Sequence, residues 1–153
     1  MRRAALMAVL LAATLGGACS SGDDTTFWDA ILSPDNEVPA RASSASGVAR
    51  LTFDGTTVTF KVLASNLNNY TQGHIHSGAA GTNGPVRVFL YGPLPATNIA
   101  QGTLVEGSFT AANVTGIEFN ALIEEMRAGT AYVNFHTTLY PGGEIRGQTR
   151  LLN

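Results

Sequence analysis

Apolar and polar residues alternate over several short stretches of the chain, which is the pattern of β-strands that bury one face. The clearest stretch covers residues 57–64, where valine and phenylalanine alternate with threonine and lysine. Asp54-Gly55 stands just before it and predicts a hairpin turn. The predicted strands are residues 27–32, 47–53, 57–64, 74–76, 86–90, 102–109, 130–137 and 144–152, with a turn at residues 33–36 and a loop at residues 66–70.

One segment, near residues 116–128, has helical spacing instead. Its apolar residues recur at intervals of three and four, namely Phe119, Leu122, Ile123 and Met126. This spacing places them on one side of a helix. Gly129 ends the run, and Thr115 with Glu118 has the spacing of a capping box at its start. We therefore predict one short helix here.

Short strands separated by glycine, proline and asparagine turns, with one helix inserted late, predict an all-β fold. We expect an antiparallel β-sandwich with Greek-key connections. Alternation alone leaves a closed barrel as the alternative, because both folds bury one face of each strand.

The chain begins with the pattern of a signal peptide. Arg2-Arg3 precede an apolar run at residues 4–15, and the small residues Gly16-Gly17-Ala18 follow. The run is too short for a transmembrane helix, which needs about 20 apolar residues. We therefore predict export, with residues 1–18 as the signal peptide.

The only cysteine of the chain, Cys19, directly follows this segment. With the small residues before it and the polar stretch after it, Cys19 resembles the cysteine of a bacterial lipobox. This implies lipidation of Cys19, a tether at residues 19–26 and a folded domain at residues 27–153. We expect a membrane-anchored lipoprotein of the bacterial cell envelope, with a soluble secreted or periplasmic protein as the alternative.

Charge and cysteine content narrow the range of partners. Without Arg2 and Arg3, the chain has seven basic and eleven acidic residues, which is a formal net charge of −4. This charge argues against nucleic acid as a partner. No cysteine follows Cys19, so the domain has neither a disulfide nor a cysteine ligand for a metal.

All three histidines of the chain, His74, His76 and His136, fall in predicted strands. Side chains at i and i+2 of a strand project from one face, so His74 and His76 can bind one ion together. His136, on another strand, is the candidate third ligand of a trigonal or open tetrahedral site for copper or zinc. Alternation puts His136 either opposite the core side of its strand or against a second buried layer.

Two further residues are candidates for the same site. Glu144 follows a Pro-Gly-Gly turn and is a candidate fourth ligand, or an acceptor for an imidazole N–H. The alternative for Glu144 is an ion pair with an arginine such as Arg146. Asn134 shares a strand face with His136, so we expect that it could orient the imidazole ring.

Three separated motifs resemble those of a known family. They lie at residues 30–39, at residues 73–86, and at residues 131–137 with 140–148. In this order they resemble the CHRD domain, which is named from chordin and occurs singly in many bacterial exported proteins. The resemblance spans about residues 27–152. It implies little about activity, because the family has no established general biochemical function; in chordin the domain belongs to an extracellular growth-factor antagonist.

The histidine pattern also resembles that of the Cu/Zn superoxide dismutases. These are Greek-key β-proteins whose copper is held partly by a His-x-His strand, with another histidine on a late strand. The resemblance implies a superoxide-dismutase-like or immunoglobulin-like sandwich. However, this chain has no further histidine to bridge to zinc and no disulfide, so we do not expect a binuclear dismutase.

The sequence contains no Gly-x-Ser-x-Gly elbow and no phosphate-binding glycine loop, and we predict no catalytic residues. The leading hypothesis is a membrane-tethered CHRD-type protein that binds one copper or zinc ion through three histidines. A copper-only dismutase-like activity is a minor extension of it. The alternative is a non-enzymatic envelope module that binds a protein or a glycan and uses the histidines structurally.

Overall fold

Eight strands and one short helix form the domain in the computed structural model, which describes residues 25–152. The strands are β1 (Thr26–Leu32), β2 (Ser46–Phe53), β3 (Val58–Ser77), β4 (Val86–Tyr91), β5 (Thr97–Phe109), β6 (Ala131–Thr137), β7 (Ile145–Gln148) and β8 (Arg150–Leu152), and the helix is α1 (Phe119–Arg127). The predicted signal peptide, Cys19 and most of the predicted tether lie outside the described residues. Within residues 25–152, no helix is long and apolar enough to cross a membrane.

All strand pairs are antiparallel, in the order β7-β6-β3-β2-β1-β8, and β4 and β5 both pair with β3. The first half of β3 pairs with β2 and β5, and its second half pairs with β6 and β4. A bridge between Ser33 and Arg146 joins the end of β1 to β7, so the sheet nearly closes into a barrel-like sandwich. The predicted all-β antiparallel fold is confirmed.

The predicted loop at residues 66–70 is wrong, because β3 runs through it without a break. Asn66 and Asn69 have φ values of 57° and 53°, and the pairing with β5 shifts register between Leu67 and Tyr70. Asparagine tolerates this left-handed conformation better than most residues. The polar stretch is therefore a bend within one long strand, and Leu67 and Tyr70 remain anchored in the core.

The predicted helix is present but begins later than its capping-box signal indicates. Glu118 is the N-cap and makes no side-chain capping bond, so the predicted capping box is wrong. Thr115 instead donates its backbone N–H to the carbonyl of Arg87, at 2.9 Å. The apolar side of α1 packs as predicted, with Leu122 and Ile123 among its buried residues.

The predicted last strand is divided into β7 and β8 at Thr149. The Thr149 hydroxyl donates to the carbonyls of Met126 and Ala131, and its backbone N–H also bonds to the Ala131 carbonyl, at 2.9 Å. Both new strands remain in the sheet, with β7 beside β6 and β8 beside β1.

The apolar core lies between the two halves of the folded sheet, and Trp28, Leu51 and Phe135 are among its largest members. Strand β6 differs from its neighbours, because all seven of its residues are buried. His136 therefore faces a second buried layer, which was one of the two alternatives predicted for it.

Candidate metal centre

Buried polar and aromatic side chains cover one face of the sheet formed by the second half of β3 with β6 and β7. We call this set the polar layer; it consists of His74, His76, Tyr132, Asn134, His136 and Arg146. His74 pairs with Asn134 across β3 and β6, and His76 pairs with Tyr132. Residues that are directly opposite each other share a face, so these four side chains project to the same side. His136 is two residues after Asn134 on β6, so its side chain projects to this side as well. The strand register thus brings together the three histidines that sequence reasoning selected.

The three imidazoles form a compact, buried cluster. Each can offer one ring nitrogen such that these atoms all lie within 4.8 Å of one another. The ring centre of His74 is 4.8 Å from that of His136 and 5.4 Å from that of His76. The exposed fractions are only 3% for His74, 7% for His76 and 6% for His136. Within residues 25–152, this is the cluster of His, Cys, Asp or Glu side chains whose geometry could hold a metal ion.

Backbone carbonyls determine the tautomers of two of these rings. His76 Nδ1 lies 3.0 Å from the carbonyl oxygen of Gly84, and His136 Nδ1 lies 2.9 Å from that of Pro141. A carbonyl can only accept, so each Nδ1 must carry the proton that it donates. In a neutral ring the other nitrogen, Nε2, then carries a lone pair that can accept a hydrogen bond or bind a metal. His76 and His136 are therefore prepared to bind a metal through Nε2.

The third ring, His74, has a different partner. Its Nδ1 lies 3.0 Å from His136 Nε2, and since that nitrogen is an acceptor, His74 donates. This leaves Nε2 of His74 as a lone pair too. Nε2 of His74 and Nε2 of His76 are buried and have no hydrogen-bond partner among the described residues. Unpartnered buried acceptors cost about 1–3 kcal/mol each, so this arrangement suits a bound cation that would satisfy them.

The cluster fits one metal ion after a closure of the rings. In a tetrahedral or trigonal site, nitrogen ligands at about 2.0–2.1 Å from the ion lie about 3.3–3.6 Å apart. The widest pair, 4.8 Å apart, must therefore approach by about 1.2–1.5 Å. In addition, His136 Nε2 cannot accept from His74 and bind a metal at once. Binding must therefore break the hydrogen bond between His74 and His136.

The surroundings keep the imidazoles neutral, as metal ligands must be. Burial lowers the pKa of His74 to about 3, with His136 and His76 adding to the effect. Burial also lowers the pKa of His76 and of His136, against the opposing influence of their bonds to the Gly84 and Pro141 carbonyls.

Glu144 is buried and is not one of the side chains that could hold the ion together, and both of its carboxylate oxygens are engaged by hydroxyls. Its oxygens accept hydrogen bonds of 2.6 Å from Ser43 Oγ and from Thr137 Oγ1. Arg146, which was its alternative partner, instead forms a buried ion pair with Glu37 at 2.8 Å. Burial raises the pKa of Glu37, and the Arg146 guanidinium opposes this effect.

Asn134 lies next to the cluster but does not hold the His136 ring. The two nitrogens of that ring are bonded to Pro141 and to His74. Asn134 packs against Gly143, where an added Cβ would lie 2.7 Å from both Asn134 amide atoms and 2.8 Å from Glu37 Oε1. This close packing accounts for a glycine at position 143.

Sequence reasoning missed four residues that organise the layer. The Gly84 and Pro141 carbonyls carry no signal in the sequence, because any residue has a carbonyl. Glu37 lies 109 positions before its partner Arg146. Tyr132 did have a signal, since alternation along its strand places it on the face of His136.

Comparisons with known proteins show which family the chain belongs to. The model of the CHRD domain matches residues 28–149, a range that includes all three histidines. The search of curated proteins and the search of solved structures gave no match. The matched range covers most of the chain, which therefore belongs to the CHRD domain family.

Proposed function

We propose that this CHRD domain binds one copper or zinc ion through His74, His76 and His136. The observation that carries the proposal is the pair of buried, unpartnered Nε2 atoms of His74 and His76 next to the third imidazole. Three neutral imidazoles are a ligand set that suits either metal. The burial of the three rings favours a role in holding the ion rather than in turnover.

We also propose that the protein is exported and tethered to a membrane of the cell envelope through a lipid on Cys19. Support comes from the apolar leader and from the position of a solitary cysteine directly after it. Mass spectrometry of the mature N-terminus should find a diacylglyceryl group on Cys19. Fractionation should find that Cys19→Ser moves the protein from the membrane to the soluble fraction; an unmodified, soluble wild-type protein would contradict the tether.

The metal proposal is tested by elemental analysis of the purified protein. The protein is stripped with a chelator, loaded with copper or zinc at neutral pH, and freed of unbound metal. We expect one ion for each chain in the wild-type protein. We expect strongly reduced uptake in His76→Gln, which keeps a polar side chain but removes the imidazole. Gln101→Ala, an exposed change on β5, serves as the control.

The proposal fails if no ion is retained, or if His76→Gln takes up as much as the wild-type protein. The hydrogen bond between His74 and His136 then favours the alternative, in which the histidines are structural in a module that binds a protein or a glycan. In that case His74→Ala would lower stability without metal, and capture of an envelope partner would survive a chelator.

A further inference from the structure

Tyr132 contacts the imidazole of His76 directly. The two residues are paired across β3 and β6, and their rings are stacked with centres 4.8 Å apart and planes within 8° of parallel. Tyr132 is only 2% exposed. A stacked neighbour of this kind restricts rotation of the His76 ring about χ2, because a turned ring would collide with it.

Tyr132 also reaches the other partner of His76. Its hydroxyl oxygen accepts a hydrogen bond of 3.1 Å from the N–H of Gly84. The carbonyl of the same Gly84 accepts from His76 Nδ1–H at 3.0 Å. Tyr132, Gly84 and His76 thus form a closed ring of contacts, which we call the Tyr132 clamp.

The clamp is held in place from both sides. At Gly84, an added Cβ would lie 1.5 Å from the carbonyl oxygen of Ser77, so only glycine allows the loop to approach β3 this closely. On β7, the guanidinium of Arg146 lies over the Tyr132 ring, with its Cζ atom 4.7 Å from the ring centre. Arg146 is itself fixed by the buried ion pair with Glu37.

The three imidazoles therefore differ in how firmly they are oriented. His76 donates to the Gly84 carbonyl and stacks on Tyr132, whose hydroxyl is bonded to the same Gly84. His136 has one carbonyl partner, from Pro141. The Nδ1 of His74 is bonded to another imidazole rather than to the backbone.

We infer that Tyr132 is the positioning residue for the metal ligand His76. It stacks on the imidazole and holds Gly84, whose carbonyl keeps the proton on Nδ1, so that Nε2 points at the site. This inference rests on the proposed metal binding. Groups that orient metal ligands in this way typically change metal affinity by about 10–100-fold when removed. We expect Tyr132→Phe, which loses the hydroxyl but keeps the stacked ring, to weaken metal binding about tenfold. Tyr132→Leu, which loses both contacts, should weaken it more.

The experiment combines two readouts on the full chain. In metal-free protein, long-range ¹H–¹⁵N NMR spectra report which nitrogen of His76 is protonated. In loaded protein, competition with a chelator of known affinity gives the Kd for copper and for zinc. We expect a single Nδ1–H tautomer in the wild-type protein and a mixture of tautomers in Tyr132→Phe.

The matched control is Tyr140→Phe. Tyr140 also bonds a backbone group through its hydroxyl, to the carbonyl of Ala42 at 2.8 Å, and also has an arginine over its ring, Arg41 at 5.5 Å. This variant should keep both the tautomer and the affinity of the wild-type protein.

The clamp is refuted if Tyr132→Phe retains a pure Nδ1–H tautomer, or if its Kd equals that of the wild-type protein. Equal losses in Tyr132→Phe and Tyr140→Phe would also refute it, because the effect would then be general. If the wild-type protein binds no metal, the proposed function fails, and the tautomer measurement alone decides the clamp. If Tyr132→Leu does not fold, Tyr132→Phe decides.

Discussion

The two faces of β6 are both buried, yet they are buried by different means. Ala131, Val133 and Phe135 project into the apolar core, where contact area alone stabilises them. Tyr132, Asn134 and His136 project into the polar layer, where each needs a partner of the right kind. The comparison teaches that the core face tolerates any well-packed apolar set, whereas the polar face constrains chemistry and so carries the information about function.

The largest expected effect comes from the core face. Phe135→Ala should lower the free energy of unfolding by about 3–5 kcal/mol, because Phe135 is fully buried and a cavity would remain. Chemical denaturation of the metal-free protein measures this loss. Phe27→Ala is the matched control, since Phe27 is 48% exposed and should cost far less. Equal losses in both variants would contradict the assignment of this face.

A loss of about 3 kcal/mol is expected on the polar face from Arg146→Met, because Glu37 would remain buried without its counter-ion. The double variant with Glu37→Gln should recover part of the loss in a denaturation cycle. Arg150→Met is the control, because its ion pair with Asp29 is at the surface and should contribute at most about 1 kcal/mol. A larger effect at Arg150 than at Arg146 would reverse the comparison.

Added metal should stabilise variants of the core face but not variants of the three-histidine site. With free copper or zinc at about 100 times Kd, the wild-type protein should gain about 2.7 kcal/mol of stability. Phe135→Ala should keep most of this gain if it folds, whereas His76→Gln should lose it. Thermal unfolding with and without metal measures the gain. A gain that persists in His76→Gln would place the metal elsewhere in the chain.

The smallest effect is a dependence on pH in the metal-free protein. Burial lowers the pKa of His74 to about 3, while in the unfolded chain it is near 6.5. Below pH 6.5, His74 therefore binds a proton in the unfolded state but not in the folded state. Stability is fully present well above pH 6.5 and falls as the pH decreases toward 3. Between pH 7 and pH 5 the loss from His74 alone should be about 2 kcal/mol.

Denaturation of wild-type protein and His74→Gln between pH 7 and pH 5 checks this dependence. The variant should show a shallower slope, because it has lost one of the three buried imidazoles whose pKa burial lowers. Equal slopes in the two proteins would show that His74 is not held neutral by the fold.

Local patterns in the sequence predict much of this architecture. Period-two alternation is enough to place His74 with His76, and to separate the two faces of β6. Whether His136 meets that pair depends on the register between β3 and β6, which no local pattern encodes. The bend at Asn66 was misread because a left-handed asparagine within a strand carries the same signal as one in a turn.

The partners that orient the histidines lie further beyond the reach of sequence reasoning. Gly84 and Pro141 act through backbone carbonyls, and these become specific only when their loops fold onto the polar face. Glu37 reaches Arg146 from a distant segment, so its burial depends on the whole sheet. These contacts depend on the tertiary structure, so neither the composition of the chain nor the spacing of its residues predicts them.

The separation of His74 and His136 along the chain has a consequence for chain entropy. The two residues are 62 positions apart. An ion that bridges them ties the ends of a long loop, as a disulfide would, in a chain whose single cysteine has no partner within it. If the ion stayed bound to both residues in the unfolded chain, this cross-link would remove about 4 kcal/mol of unfolded-state entropy in the simple polymer estimate. The metal would then act as a reversible staple, whose presence is set by the supply of metal rather than by oxidation.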